Sequence, residues 1–184
     1  RWFIVAWAVP GGIGTSQAVQ PCEFQKLVPN AGGFGIAAAI DGDTIVVTGT
    51  TFDGVPPDPV AAYVFERSGV FWTQKAKLTA SASVTLDYFG EFAAIDGDMV
   101  VVGAAGRDGA FSNVGAAYVF VKPAGGWVNM TETALLTASD AATDDFLGVA
   151  VAISGDIIVV GAPFDDLAFS DQGSAYVFVK PAGG

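Results

Sequence analysis

An internal repeat constrains the fold of this chain more than any other feature. The tetrapeptide Ala-Tyr-Val-Phe occurs three times, ending at Phe65, Phe120 and Phe178, so that it returns at a nearly constant interval. Self-similarity at a fixed period is the sequence signature of repeat architectures, in which each unit buries its apolar faces against its neighbours. We therefore expect three similar units, at residues 34–88, 89–145 and 146–184, the last of them incomplete.

Each unit contains the pattern of four short strands. Asp41-Gly42, which recurs as Asp96-Gly97 and Ser154-Gly155, favours a two-residue hairpin turn between the first two strands. The second strand is a continuous β-branched run that suits a strand covered on both faces. The fourth, Phe71 to Leu78, alternates, with Trp72, Gln74, Ala76 and Leu78 on one face, as in a half-exposed edge strand.

Together these patterns predict an all-β fold built from β-propeller blades. Gly or Pro interrupts every stretch that is long enough for a helix, so a helical interpretation fails. Four antiparallel strands in each repeat unit are typical of a propeller blade, although a β-solenoid or a sandwich repeat fits the same pattern.

The composition excludes several classes of function. Hydrophobic residues make up 52% of the chain, which requires a buried core rather than a disordered chain. The net charge of −11 opposes phosphate backbones and anionic lipid headgroups, so we expect no nucleic-acid binding. The chain has no histidine, which excludes Ser-His-Asp and Cys-His catalysis, and its single cysteine, Cys22, cannot form an internal disulfide.

The N-terminal residues 1–18 resemble a signal peptide. Arg1 precedes an apolar run, and Ser16 and Ala18 supply the small side chains of a cleavage site. The run is shorter than the roughly 20 residues that span a bilayer, so we expect a secreted or cell-surface protein with no membrane insertion of the mature chain. An ordinary buried strand is the alternative interpretation. Residues 19–33 form a lead-in, in which Glu23 to Leu27 resembles an orphan outer strand.

The units resemble FG-GAP repeats, the blades of the integrin α-subunit propeller and of many bacterial extracellular proteins. Phe34-Gly35 and Phe89-Gly90 match the Phe-Gly pair, and Gly161-Ala162-Pro163 matches the Gly-Ala-Pro that follows the second strand. The third unit reads Phe146-Leu147-Gly148, which we interpret as the insertion of one residue. The resemblance covers roughly residues 23–184.

The resemblance implies a secreted or cell-surface binding module of the adhesion type, without catalytic activity, whose loops contact a protein or a glycan. A carbohydrate-active hydrolase or lyase with a propeller fold is one alternative, and a purely structural repeat array is another. The acidic doublets Asp144-Asp145 and Asp165-Asp166 are the candidates for catalysis. Because adjacent side chains on a strand point to opposite faces, we expect no catalytic residue among them.

Calcium is the one cofactor that the acidic loops suggest. In integrin-type members a loop between the first two strands binds calcium, but here it has shrunk to Asp41-Gly42-Asp43, too few oxygens for the roughly six to eight that Ca²⁺ prefers. A loop between the second and third strands repeats oxygen side chains five residues apart, and turn capping is the competing interpretation of these residues. The candidate ligands are Asp53, Asp58, Asp108, Asn113, Asp165, Asp166 and Asp171.

The two ends of the chain are complementary. The third unit reaches Gly184 without a fourth strand, whereas the lead-in carries an outer strand with no unit of its own. Closed propellers usually have about four to eight blades. We therefore expect further repeats in the same protein, or self-association, to cover the terminal faces.

Overall fold

The structure is a computed structural model that describes residues 25–28, 34–49, 60–82, 87–166 and 169–181. The segment 1–18 and the candidate ligands Asp53 and Asp58 lie outside these residues. Among the described residues there are twelve strands and no helix, so no helix in them is long and apolar enough to cross a membrane. The strands are β1 (Phe34–Asp41), β2 (Thr44–Gly49), β3 (Ala61–Ser68), β4 (Phe71–Thr79), β5 (Phe89–Asp96), β6 (Met99–Ala104), β7 (Ala116–Val121), β8 (Met130–Thr131), β9 (Ala134–Leu136), β10 (Ala150–Ser154), β11 (Ile157–Ala162) and β12 (Ser174–Val179).

The strands form three sheets, which confirms the all-β prediction. The first sheet has the order β1-β2-β3-β4-β8, the second β5-β6-β7-β9 and the third β10-β11-β12. Paired strands are antiparallel except β4 and β8, which run parallel. The first strands of successive sheets touch, β1 against β5 and β5 against β10, as the inner strands of propeller blades do.

The hairpin turns link each sheet to the next. Gly42, Gly97 and Gly155 have φ values of 51°, 55° and 55°, as a two-residue hairpin of this kind requires. The Gly97 N–H donates to Asp41 Oδ2 of the preceding sheet at 2.7 Å, and the Gly155 N–H donates to Asp96 Oδ2 at 2.5 Å. The turn aspartates therefore hold successive sheets together at this end of the molecule.

Each sheet has a small face and an aromatic face, and unlike faces pack together. The aromatic face of the second sheet centres on Phe89, which lies edge-on to Tyr118 with ring centroids 5.3 Å apart. It packs against the small face of the first sheet, and the aromatic face of the third packs likewise on the small face of the second. The small faces carry Val46, Ala62 and Val64 in the first sheet, Val101, Ala117 and Val119 in the second, and Val159, Ala175 and Val177 in the third.

The small face of the third sheet is open among the described residues. Val101 and Val119 in the second sheet are 0% and 5% exposed, whereas their counterparts Val159 and Val177 are 36% and 63% exposed. Burying one such side chain contributes about 1.5 to 3 kcal/mol. This face therefore lacks the apolar burial that the other two small faces have.

The predicted face of the fourth strand is wrong. A bulge at Lys75 places Gln74 opposite Phe65 and Ala76 opposite Val64. Because an extra residue reverses the alternation of a strand, Trp72 packs on the aromatic face of its sheet while Ala76 joins the small face.

The predicted insertion in the third unit is also wrong. Leu147 takes the buried position of Phe89, and Gly148, with φ of 108°, takes that of Gly90, with φ of 93°. Phe146 corresponds to Tyr88, and both residues have φ of 53°. The unit therefore differs by a substitution of Leu for Phe, because the interval from Phe89 to Leu147 equals the interval from Phe120 to Phe178.

Candidate functional site

Two equivalent loops join the second and third strands of the second and third sheets. In each, an aspartate accepts a hydrogen bond from the backbone N–H five residues later: Asn113 N to Asp108 Oδ1 at 2.9 Å, and Asp171 N to Asp166 Oδ1 at 2.6 Å. Asn113 and Asp171 have φ values of 51° and 54°. The aspartate of each pair thus caps its loop, and the residue five positions later has left-handed backbone angles, which Asn and Asp adopt more readily than other residues.

The bases of these loops are closed by backbone hydrogen bonds. Gly115 N donates to Arg107 O and Gly173 N donates to Asp165 O, both at 3.0 Å. Capping and closure together hold the two ends of each loop next to each other.

The predicted calcium ligands are only partly brought together. The carboxylates of Asp108 and Asp166 each receive a backbone N–H, and the side-chain amide of Asn113 donates to Asp144 Oδ1 at 2.7 Å. No group of three or more His, Cys, Asp or Glu residues in the described part of the chain could hold a metal ion. The hydrogen bonds fit the turn-cap interpretation, and calcium binding by these loops, like that by Asp53 and Asp58, rests on the sequence pattern alone.

Each acidic doublet divides between a buried and an exposed side chain. Asp165 is buried and Asp166 exposed; Asp145 is buried and Asp144 exposed. The Asp145 carboxylate accepts the Ala142 N–H at 2.6 Å. Neither doublet therefore presents both carboxylates to one open surface.

Sequence reasoning missed a cluster of polar side chains at the base of the loop in the third sheet. The Tyr176 hydroxyl lies 2.8 Å from both Asp140 Oδ1 and Asp165 Oδ2. Because a hydroxyl has one proton, it donates to one carboxylate at a time. Burial raises the pKa of Tyr176 well above its ordinary value, and the hydrogen bonds to the two carboxylates raise it further.

The equivalent position in the second sheet has the opposite charge. Arg107 replaces Asp165, and it faces Tyr118, the counterpart of Tyr176. Burial raises the pKa of Tyr118, and the charge of Arg107 offsets part of that rise. The sequence contains the signal for this difference in charge, because Arg107 and Asp165 align when the second and third units are superimposed at the interval of the repeat.

The loop tips carry a repeated exposed aromatic residue. Phe111 and Phe169 lie at equivalent positions of the repeat, three residues after the capping aspartates Asp108 and Asp166. They are 53% and 77% exposed. Sequence reasoning concentrated on the acidic residues of these loops and missed the phenylalanines between them, although the same spacing marks them.

The stacked antiparallel sheets and their equivalent loops define a propeller-type repeat module. The sequence profile of the FG-GAP repeat family matches residues 72–120 and 130–178, more than half of the chain, and the chain belongs to this family. The first match runs from β4 to β7, and the second runs from β8 to β12. In a comparison with curated proteins, none matches the chain significantly.

Proposed function

We propose that this propeller-type module is a secreted or cell-surface binding module of the adhesion type, without catalytic activity, whose loop tips contact a protein ligand. The observation that carries the proposal is the repeated exposure of Phe111 and Phe169 on equivalent loops. Aromatic side chains are the commonest anchors of protein interfaces, where they fill apolar pockets of the partner.

Loop rigidity and charge support the same function. The caps at Asp108 and Asp166 fix the capped ends of the two loops before binding, which reduces the entropy lost when a ligand orders these residues. The net charge of −11 attracts a basic partner over distances of about a Debye length. A glycan could also stack on phenylalanine, but a neutral sugar gains nothing from the surrounding acidity.

The test is a binding screen with the full chain against cell-surface proteins and glycans. We expect a protein ligand whose association rate falls with added salt. The double substitution Phe111→Ser and Phe169→Ser should weaken it by at least tenfold, about 1.4 kcal/mol. Phe71→Ser, at an exposed phenylalanine in β4, is the matched control and should bind normally.

Three results would contradict the proposal. A folded chain that binds glycans but no protein refutes the ligand class, and unchanged binding by the double variant refutes the loop tips. Turnover of any member of a panel of glycosides would instead favour the hydrolase or lyase. Secretion is tested separately, by fusing residues 1–18 to a reporter and assaying its export.

A further inference from the structure

The open end of the third sheet contains a cavity of about 490 Å³. It lies where β11 and β12 meet the loop between them, and Gly161, Gly173 and Ala175 are among the residues that line it. The cavity is continuous with the small face, because Ala175 belongs to both. Its counterpart in the second sheet shows what such a cavity can hold.

In the second sheet the same place is filled by residues 144–148, where the third unit begins. Gly115, the counterpart of Gly173, forms a parallel bridge with Leu147. Leu147 N donates to Val114 O at 3.1 Å, and Phe146 N donates to Asn113 O at 3.0 Å. A segment ending in Leu-Gly, with positive φ at Asp144, Phe146 and Gly148, therefore docks on this sheet through its backbone.

The space around two equivalent glycines, Gly103 and Gly161, shows whether this docking place is occupied. A Cβ added to Gly103 would lie 2.1 Å from Gly148 O, so the docked segment leaves no room for a side chain there. A Cβ added to the counterpart, Gly161, would meet only Ala150 of its own sheet, at an ordinary 3.4 Å. The third sheet thus has the same docking surface, with nothing seated on it among the described residues.

The first sheet offers the matching parts at the other end of the molecule. Leu27 packs on its aromatic face, as Leu78 and Leu136 pack on the aromatic faces of the second and third sheets. Leu27 therefore lies where the outer strand of a preceding sheet would be. The Gln25 side chain fixes this segment by exchanging two hydrogen bonds of 2.8 Å with the Trp72 backbone.

Phe34-Gly35 is the part of the first sheet that would enter the cavity. Gly35 has φ of 98°, like Gly148 in the docked segment, and a Cβ added to it would meet nothing within 4 Å. Both sides of the interface seen inside the chain are therefore present, separated, at the outer faces of the first and third sheets.

We propose that the cavity and small face of the third sheet bind residues 25–35 of a second copy of this chain, head to tail. Phe34 of the second copy takes the position of Leu147, and its lead-in supplies an outer strand beside β12. The aromatic face of its first sheet then lies against Val159 and Val177. Such a heterologous contact closes into a ring or continues as a filament, depending on the rotation between copies.

Charge at the rim of the cavity selects this segment. Inside the chain, Asn113 donates to Asp144, the first residue of the docked segment. The counterpart of Asn113 is Asp171, which repels an acidic residue at that place. At the interval of the repeat, Ala31, which carries no charge, corresponds to Asp144, and Gly33, a residue type that tolerates positive φ, corresponds to Phe146 with φ of 53°.

The experiment measures self-association by analytical ultracentrifugation from low micromolar to submillimolar concentration. We expect the wild-type chain to form larger species, and Gly161→Ala or Val177→Asp to weaken association by at least about tenfold without lowering the melting temperature. Val70→Asp replaces an exposed valine of the β3–β4 turn and should associate like the wild type. Gly103→Ala, the same change at the filled site, should lower the melting temperature.

A peptide of residues 29–40 provides an independent readout. It should compete with self-association, and the same peptide with Ala31→Asp should compete less well. The proposal is overturned if the wild-type chain stays monomeric throughout, even if the peptide binds it, because another repeat would then be the occupant. It is equally overturned if folded Gly161→Ala and Val177→Asp variants associate like the wild type.

Discussion

Thr48 tests how far a single buried hydroxyl holds the first two sheets together. It is fully buried; its Oγ1 accepts the Ala37 N–H at 2.9 Å and lies 2.5 Å from Gly90 O, to which it donates. Thr48→Val keeps the shape of the side chain and removes the hydroxyl. The N–H of Ala37, which is partly buried, and the buried carbonyl of Gly90 then lose this partner.

The expected loss follows from these two backbone groups. A buried polar group left without a partner costs about 1 to 3 kcal/mol, so we expect Thr48→Val to lower the free energy of unfolding by about 3 kcal/mol. At about 2 to 4 °C for each kcal/mol in a chain of this size, the melting temperature should fall by about 6 to 12 °C.

Urea titration and scanning calorimetry measure both quantities. Thr48→Ser keeps the hydroxyl and should lose only the contribution of one methyl group, about 1 kcal/mol. Thr44→Val, at a half-buried position of the same strand, should change the free energy of unfolding by less than about 0.5 kcal/mol. The reasoning fails if Thr48→Val is no more destabilising than these two controls.

Three further measurements address the turns, the tyrosine cluster and the loops. Asp96→Ala should lower the free energy of unfolding by about 1 kcal/mol, because the Gly155 N–H loses the carboxylate that accepts its hydrogen bond. Asp98→Ala, on the same turn, should lower it less. Equal losses in the two variants would refute the link between sheets. The folded pKa of Tyr176 lies above its unfolded value of 10.0, so the contribution of Tyr176 to stability is complete below pH 10 and is lost as the pH rises above 10. Tyr176→Phe should therefore make the melting temperature fall less steeply at alkaline pH. An unchanged pH profile of the melting temperature would contradict this assignment. Millimolar calcium added to chelator-treated protein should leave the melting midpoint unchanged, because the carboxylates of Asp108 and Asp166 already accept hydrogen bonds from the backbone. A rise in the melting midpoint would show that the loops hold a cation.

The repeat allowed the sheets and hairpins to be predicted, because strand patterns and Asp-Gly turns recur in register. The face of Trp72 could not be predicted, since alternation assumes a regular pleat and the bulge at Lys75 has no distinctive residue. The relation of Leu147 to Phe89 was missed because we aligned the letters Phe and Gly. The features that the structure conserves there are the buried side chain and the positive φ of the glycine after it.

The site was less predictable than the fold. The spacing of Asp108 and Asn113 is visible in the sequence, but it fits both a turn cap, which we favoured, and a cation ligand. The choice depends on which backbone N–H the carboxylate meets, and that requires the loop conformation. The cluster around Tyr176 joins Asp140 and Asp165 across three separate segments, so no local pattern could reveal it.

The parallel pairing of β8 with β4 has a consequence for the order of folding. Residues 130 and 131 follow the third strand of the second sheet along the chain, yet they complete the edge of the first. Asn129 accepts the Lys77 N–H at 2.8 Å, and Glu132 accepts the Ser81 N–H at 2.9 Å, which extends the link on both sides of β8. During synthesis the first sheet therefore cannot close its edge until most of the second has left the ribosome, and hydrogen exchange should find these two sheets opening as one cooperative unit.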